Sequence, residues 1–241
     1  MSWKRYLLSS VLLTVLLGCS EQTTVQTPVR VAVAASSADV MKEIALFYEK
    51  NHNIKIDIIS GSSGKLATQI ESGAPFDLFI AADSLFTNAL YSKKLVANKG
   101  VNFTTNRLMM WSNTQIDTLE TILANASKIS IANPETAPFG EAALHFLNQK
   151  NAPKSQLVYG TSIAQVNQYI ANQSVDIAFT ASSSKIQLEK TGFNQGYWQQ
   201  LDIVLQQQLV LINSTKPAIE FYNFLIAETA DSIFKSHGFN Q

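Results

Sequence analysis

IDIISGSSGKLATQI, Ile56–Ile70, carries two periodicities and a join between them. Ile56, Ile58 and Ile59 stand among polar residues in the spacing of a half-buried strand, whereas Leu66 and Ile70 lie four apart, on one face of a helix. Between them Ser60, Gly61, Ser62, Ser63 and Gly64 form a turn of hydroxyls and glycines. A strand entering a helix through such a turn has four readings: a nucleophile, a phosphate cradle, a seat for a free anion, or a helix cap.

The same grammar recurs outward along the chain. VRVAVAA (Val29–Ala35) runs into Ser36, Ser37, Ala38 and Asp39; KISIA (Lys128–Ala132) into NPETAPFGEAAL, where Pro138, Phe139 and Gly140 open a helix; and LVYG (Leu157–Gly160) into Thr161, Ser162 and Ile163. DLFIAA (Asp77–Ala82) is an almost unbroken apolar run, as in a buried parallel strand, and RLMMW (Arg107–Trp111) and VDIAF (Val175–Phe179) follow that habit. Helical stripes separate the strands, such as Val40, Met41, Ile44, Phe47 and Tyr48, or Ala142, Ala143, Phe146 and Leu147. This alternation predicts an α/β protein with mainly parallel sheets flanked by helices. Two lobes are expected. Residues 29–106 begin the first, 107–206 form the second, and 207–241 return to the first through LVLI (Leu209–Ile212) and closing helices with Pro217 at a helix start. Two strands would cross between the lobes as a hinge.

The chain has 241 residues, 46% of them hydrophobic and 15% charged, with a formal net charge of zero. That balance suits a folded chain and argues against nucleic acid, which demands clustered Lys and Arg. Residues 1–18 differ from the rest: Lys4 and Arg5 precede YLLSSVLLTVLLG, an export signal by pattern and too short for a convincing permanent membrane span. Cys19, the only cysteine, closes LLGC, which resembles the lipobox of bacterial lipoproteins. The expectation is an exported, periplasmic protein anchored through lipidated Cys19, with residues 19–28 as a polar tether.

The four turns share a chemistry. Each helix start offers unpaired N–H groups and about half a positive charge, so convergence in one cleft at the carboxyl ends of the strands would suit an anion. Ser36 with Asp39 also fits a capping box, and Ser62 fits an N-cap. Catalytic alternatives lack parts. Ser62 to Lys65 matches S-x-x-K and Lys190 to Gly192 matches K-T-G, but no S-x-N or Y-x-N lies between them. GSSG is one residue short of a nucleophile elbow, and the turn fails the P-loop spacing. His52, His145 and His237 have no partner at metal-ligand spacing. A site built only of donors favours a fully deprotonated dianion such as molybdate, tungstate or sulfate. The proton of hydrogen phosphate would find no acceptor, at a cost of about 1–3 kcal/mol.

VAVAASSADVMKEIALFYE, SGSSGKLATQIESGAPFDLFIAAD, NRLMMWS, ANPETAPFGEAAL, LVYGTSIAQV, Tyr197–Trp198 and FKSHGF together resemble the periplasmic molybdate-binding proteins of ABC importers, from Val29 to Phe239. The resemblance implies a two-lobed periplasmic-binding-protein fold closing on its ligand by hinge bending. It also implies a monomeric receptor, with no catalytic step and no cofactor, that captures molybdate and tungstate for membrane permease subunits. Ser36 and Ser63 would contact the oxyanion through hydroxyl and N–H, and Phe139 and Ile163 through N–H. Ser37, Ser62, Gly64 and Phe179 are further candidates, and the only metal expected is the molybdate in that site, with no cation site. One branch of the family has a tyrosine hydroxyl where this chain has Phe179, and many relatives have Gly-Glu-Asn where it has Gly160, Thr161 and Ser162. The alternatives are a receptor for sulfate or another tetrahedral oxyanion and, more remotely, a serine acyl-enzyme using Ser62 and Lys65.

Overall fold

The structure, a computed structural model, describes residues 27–240; the signal segment, Cys19 and most of the tether lie outside the described residues. The strands β1 (Val29–Ala34), β2 (Ile56–Gly61) and β3 (Leu78–Ala81) are parallel, with β1 in the middle. Their alternation splits the first lobe into two cores. Val31, Val33, Leu78 and Ile80 face one side, and Ala32, Phe79 and Ala81 the other.

The first side is covered by α1 (Ala38–His52), α8 (Lys216–Ile226) and α9 (Glu228–Ser236), which contribute Met41, Ile44, Phe221 and Phe234. The other is covered by α2 (Ser63–Glu71) and α3 (Leu85–Ser92), with Leu66, Ile70 and Leu90. Asn53 ends α1 in a left-handed conformation at φ 55°, which asparagine tolerates better than most residues.

The second lobe repeats the plan. Strands β5 (Ile129–Ala132), β6 (Leu157–Gly160) and β7 (Ile177–Ala181) are parallel with β5 central. Helices α4 (Leu119–Asn125), α5 (Pro138–Gln149), α6 (Ile163–Ala171) and α7 (Ser182–Lys190) accompany them.

Two long antiparallel strands, β4 (Val101–Ser112) and β8 (Tyr197–Leu211), run through both lobes. Among the described residues the strands make one curled sheet in the order β2-β1-β3-β8-β4-β7-β5-β6. The sequence divisions at 106/107 and 206/207 fall inside these strands. LVLI and RLMMW mark only parts of them. The remainder carries Thr104, Asn106 and Gln207 at buried positions, which breaks the apolar signature of a central strand. The β4–β8 register shifts between Asn102 and Thr104 and between Arg107 and Met109, so the crossing segment is irregular where the lobes meet.

Candidate functional site

Four strand-to-helix turns, two from each lobe, open on one small, tight cavity with about 10 Å3 of room for the centre of a water-sized sphere. Ala34, Ala35 and Ser36 come from the end of β1 and the short 3-10 turn Ala35–Ser37. Gly61, Ser62 and Ser63 come from the β2–α2 join, Ala137, Pro138 and Phe139 from the start of α5, and Ile163 from the start of α6; Ala82, after β3, completes the lining. Small side chains predominate, so main-chain N–H groups approach the space closely. Pro138 suits the first turn of α5 because its fixed φ is helical and the missing N–H would have no intrahelical partner. Gly140 lets that turn sit on the end of β5, since a Cβ there would lie 2.1 Å from the Ala132 carbonyl oxygen.

Helix capping does not explain the hydroxyls. The cap positions of α1, α2, α5 and α6 are Ser37, Ser62, Ala137 and Ser162, and none makes a side-chain capping bond. On α4 and α8, by contrast, Thr118 and Thr215 accept from Thr121 N–H and Ala218 N–H. The capping box expected at Ser36 and Asp39 does not form: Ser37 holds the cap position, and Asp39 pairs with Lys42 at 3.3 Å. Ser62 holds the N-cap position of α2 without the expected cap bond.

What the hydroxyls do instead is informative. The Oγ atoms of Ser36 and Ser62 are buried with no hydrogen-bond partner among the described residues. Such an atom costs free energy unless something outside the chain satisfies it. The Ser63 Oγ accepts from Ala82 N–H at 3.1 Å, which leaves its own O–H free to donate. The first-turn N–H groups of Ser63, Phe139 and Ile163 lack intrahelical acceptors by the geometry of a helix start.

The structure thus brings Ser36, Ser62, Ser63, Phe139 and Ile163 together. Three other candidates stand off the cavity wall. The Ser37 hydroxyl donates to Gln207 Oε1 at 3.2 Å, the Gly64 N–H donates to the Thr136 carbonyl at 2.8 Å, and the Phe179 ring is buried with Phe146, centroids 5.7 Å apart. Lys65 is exposed, whereas its S-x-x-K partner Ser62 is buried.

The lining includes no carboxylate, lysine or arginine. Asp83, next to Ala82, has its pKa pushed up to about 6, mainly by burial and further by the charge of Glu141 across the cleft, against a lowering bond from Leu85 N–H. Sequence reasoning missed the supports behind the wall. Gln207 ties Ser37 to the Ala82 carbonyl, and Ser183 donates to the Ser36 carbonyl at 2.7 Å. The triplet Gln206–Gln208, directly before the apolar end of β8, was the one available signal. A wider, open depression of about 380 Å3 on the same measure lies by Ser112, Asn113, Asp117 and Asp176, at the start of β7 and away from the turns. Its carboxylates suit an anion poorly.

Comparison with known proteins fits this geometry. The sequence profile described as bacterial extracellular solute-binding protein matches residues 29–240. The molybdate-binding protein ModA of Azotobacter vinelandii is 33% identical over 237 residues, covering 93% of both chains. A protein of Bacillus subtilis named as a putative ABC transporter substrate-binding lipoprotein, YvgL, is 28% identical over 220 residues, covering 87% of this chain and 85% of that one. The solved Azotobacter vinelandii periplasmic molybdate-binding protein superposes with a TM-score of 0.77 at 24% identity, covering 88% of this chain and 99% of that one.

Proposed function

The chain belongs to the bacterial extracellular solute-binding protein family, and from that premise we propose that it captures molybdate, and tungstate with it, in the cavity between its lobes. One observation carries the reading: four helix starts meet at a cavity where the Ser36 and Ser62 hydroxyls are buried without partners among the described residues. A tetrahedral dianion would satisfy those hydroxyls, the free O–H of Ser63 and the N–H groups of Phe139 and Ile163. It needs no cationic side chain, because hydrogen bonds and helix dipoles supply the stabilisation. The receptor would deliver the ion to membrane permease subunits of an importer, held near them by lipid on Cys19. The lipoprotein name of the Bacillus subtilis relative supports that anchor, and mass spectrometry of the mature N-terminus tests it.

The test of the ligand is thermal unfolding with molybdate, tungstate, sulfate and phosphate. An ion at 100 times its dissociation constant adds about 2.7 kcal/mol of stability. Molybdate and tungstate are expected to raise the melting temperature and phosphate to leave it unchanged. A rise with sulfate and none with molybdate overturns the reading in favour of a sulfate receptor.

A further inference from the structure

We propose that Gly64 is the latch on which closure of the two lobes depends, and thereby a positioning residue for ligand capture; this rests on the molybdate reading above. Gly64 is the second residue of α2, so its N–H belongs to the first-turn groups without an intrahelical acceptor. Its neighbour Ser63 lines the cavity, yet the Gly64 N–H is committed elsewhere. It donates at 2.8 Å to the carbonyl of Thr136, in the segment between β5 and α5 of the opposite lobe. This main-chain bond sits beside the cavity, with Ser63 on one side and Ala137 on the other, and it exists only while the lobes are together.

The second observation is steric. A Cβ on Gly64 would stand 3.0 Å from Thr136 Cα and 2.9 Å from Cε1 and Cζ of Phe86. Phe86 lies on α3 in the same lobe, and its ring can turn aside. Thr136 Cα is main chain of the other lobe, so a methyl group here asks for a shift of a few tenths of an ångström between the lobes. The backbone at Gly64 is helical, so the close approach, and not the conformation, excludes a side chain there. Alanine is the better helix former. A methyl group at this position therefore leaves α2 intact while opposing the last few tenths of an ångström of the approach that the Gly64–Thr136 bond needs.

The test compares wild type, Gly64→Ala, Phe86→Ala and the double variant by thermal unfolding, molybdate release rate and small-angle scattering with and without saturating molybdate. Gly64→Ala is expected to melt no lower than wild type without ligand and to release molybdate at least about tenfold faster. With molybdate bound, it is expected to contract less than wild type does. Phe86→Ala in the same chain leaves that defect in place, because the clash with Thr136 remains. An unchanged release rate, a full contraction, or restoration by Phe86→Ala each overturns the proposal. If wild type binds sulfate and not molybdate, the ligand reading falls alone, and the same variants test the latch with sulfate.

Discussion

The Ser183 hydroxyl donates to the Ser36 carbonyl at 2.7 Å, joining the start of α7 in the second lobe to the turn that follows β1 in the first. Behind it, Asn106 Nδ2 donates to the Ser183 Oγ at 2.9 Å, and Asn106 Oδ1 accepts from the Ser182 hydroxyl at 2.5 Å. Asn106 lies on β4 next to the register shift at Arg107. One buried polar network therefore links the crossing strand, α7 and the turn that presents Ser36 to the cavity. Its members satisfy one another, which is the condition under which buried polar groups specify a single arrangement.

Ser183→Ala tests that network. It leaves the Ser36 carbonyl without its side-chain donor and Asn106 Nδ2 without its acceptor, a loss of about 1–3 kcal/mol in unfolding free energy. Molybdate affinity is expected to fall with it, and Ser183→Thr, which keeps a hydroxyl, to recover part of both. Denaturant unfolding and calorimetric titration measure the two effects; unchanged values for Ser183→Ala mean the network does not hold the turn.

Ser36→Ala separates binding from folding. The Ser36 Oγ has no partner among the described residues, so removing it relieves a buried unsatisfied group and leaves the unliganded melting temperature equal or higher. Binding loses a hydrogen bond to a charged ligand, worth about 1.5–3 kcal/mol, or roughly ten- to hundredfold in dissociation constant. A fall in unliganded stability would show that the hydroxyl serves the fold.

Gln207→Leu addresses the hinge. Gln207 is fully buried on β8; its Oε1 accepts from the Ser37 hydroxyl at 3.2 Å, and its Nε2 donates to the Ala82 carbonyl at 3.2 Å. Leucine keeps comparable bulk but strands both partners, at about 1–3 kcal/mol each. Chemical denaturation is expected to show a midpoint shift with little change in slope, because the surface exposed on unfolding is nearly the same.

These supports explain what was legible in the sequence and what was not. The four turns could be read because strand and helix periodicities change over at Ser36, Ser63, Phe139 and Ile163, within a few residues of local chain. The supports could not, because each depends on contacts between distant segments: Ser183 to Ser36, Gln207 to Ala82, Gly64 to Thr136. The capping box at Ser36 and Asp39 misled for a related reason. The pattern is local, but the 3-10 turn Ala35–Ser37 moves the cap position to Ser37 and leaves Asp39 to Lys42. The crossing strands were underread because Thr104, Asn106 and Gln207 are buried polar residues whose partners lie far along the chain.

Asp83 makes the stability of the fold depend on pH. Burial, with the charge of Glu141 added, holds Asp83 at about 6 against an ordinary value of 3.8. Between those two values the folded protein keeps a proton that the unfolded chain has released, so this residue's contribution makes stability fall as pH rises through the window. Above it, the ionised carboxylate faces the first turn of α5 and its Glu141, a like charge on the opposite lobe. Asp83→Asn removes the titration and retains an oxygen that can accept from Leu85 N–H, a bond of 3.1 Å in the wild type. The variant is expected to melt higher than wild type at pH 7 and at the same temperature near pH 4, with the curves separating between. Glu141→Gln is expected to produce a smaller separation, since burial is the larger cause. Melting curves measured across that range that stay parallel for Asp83→Asn and wild type would mean that Asp83 ionises as an exposed carboxylate does, and that the first-lobe side of the cleft carries no such cost.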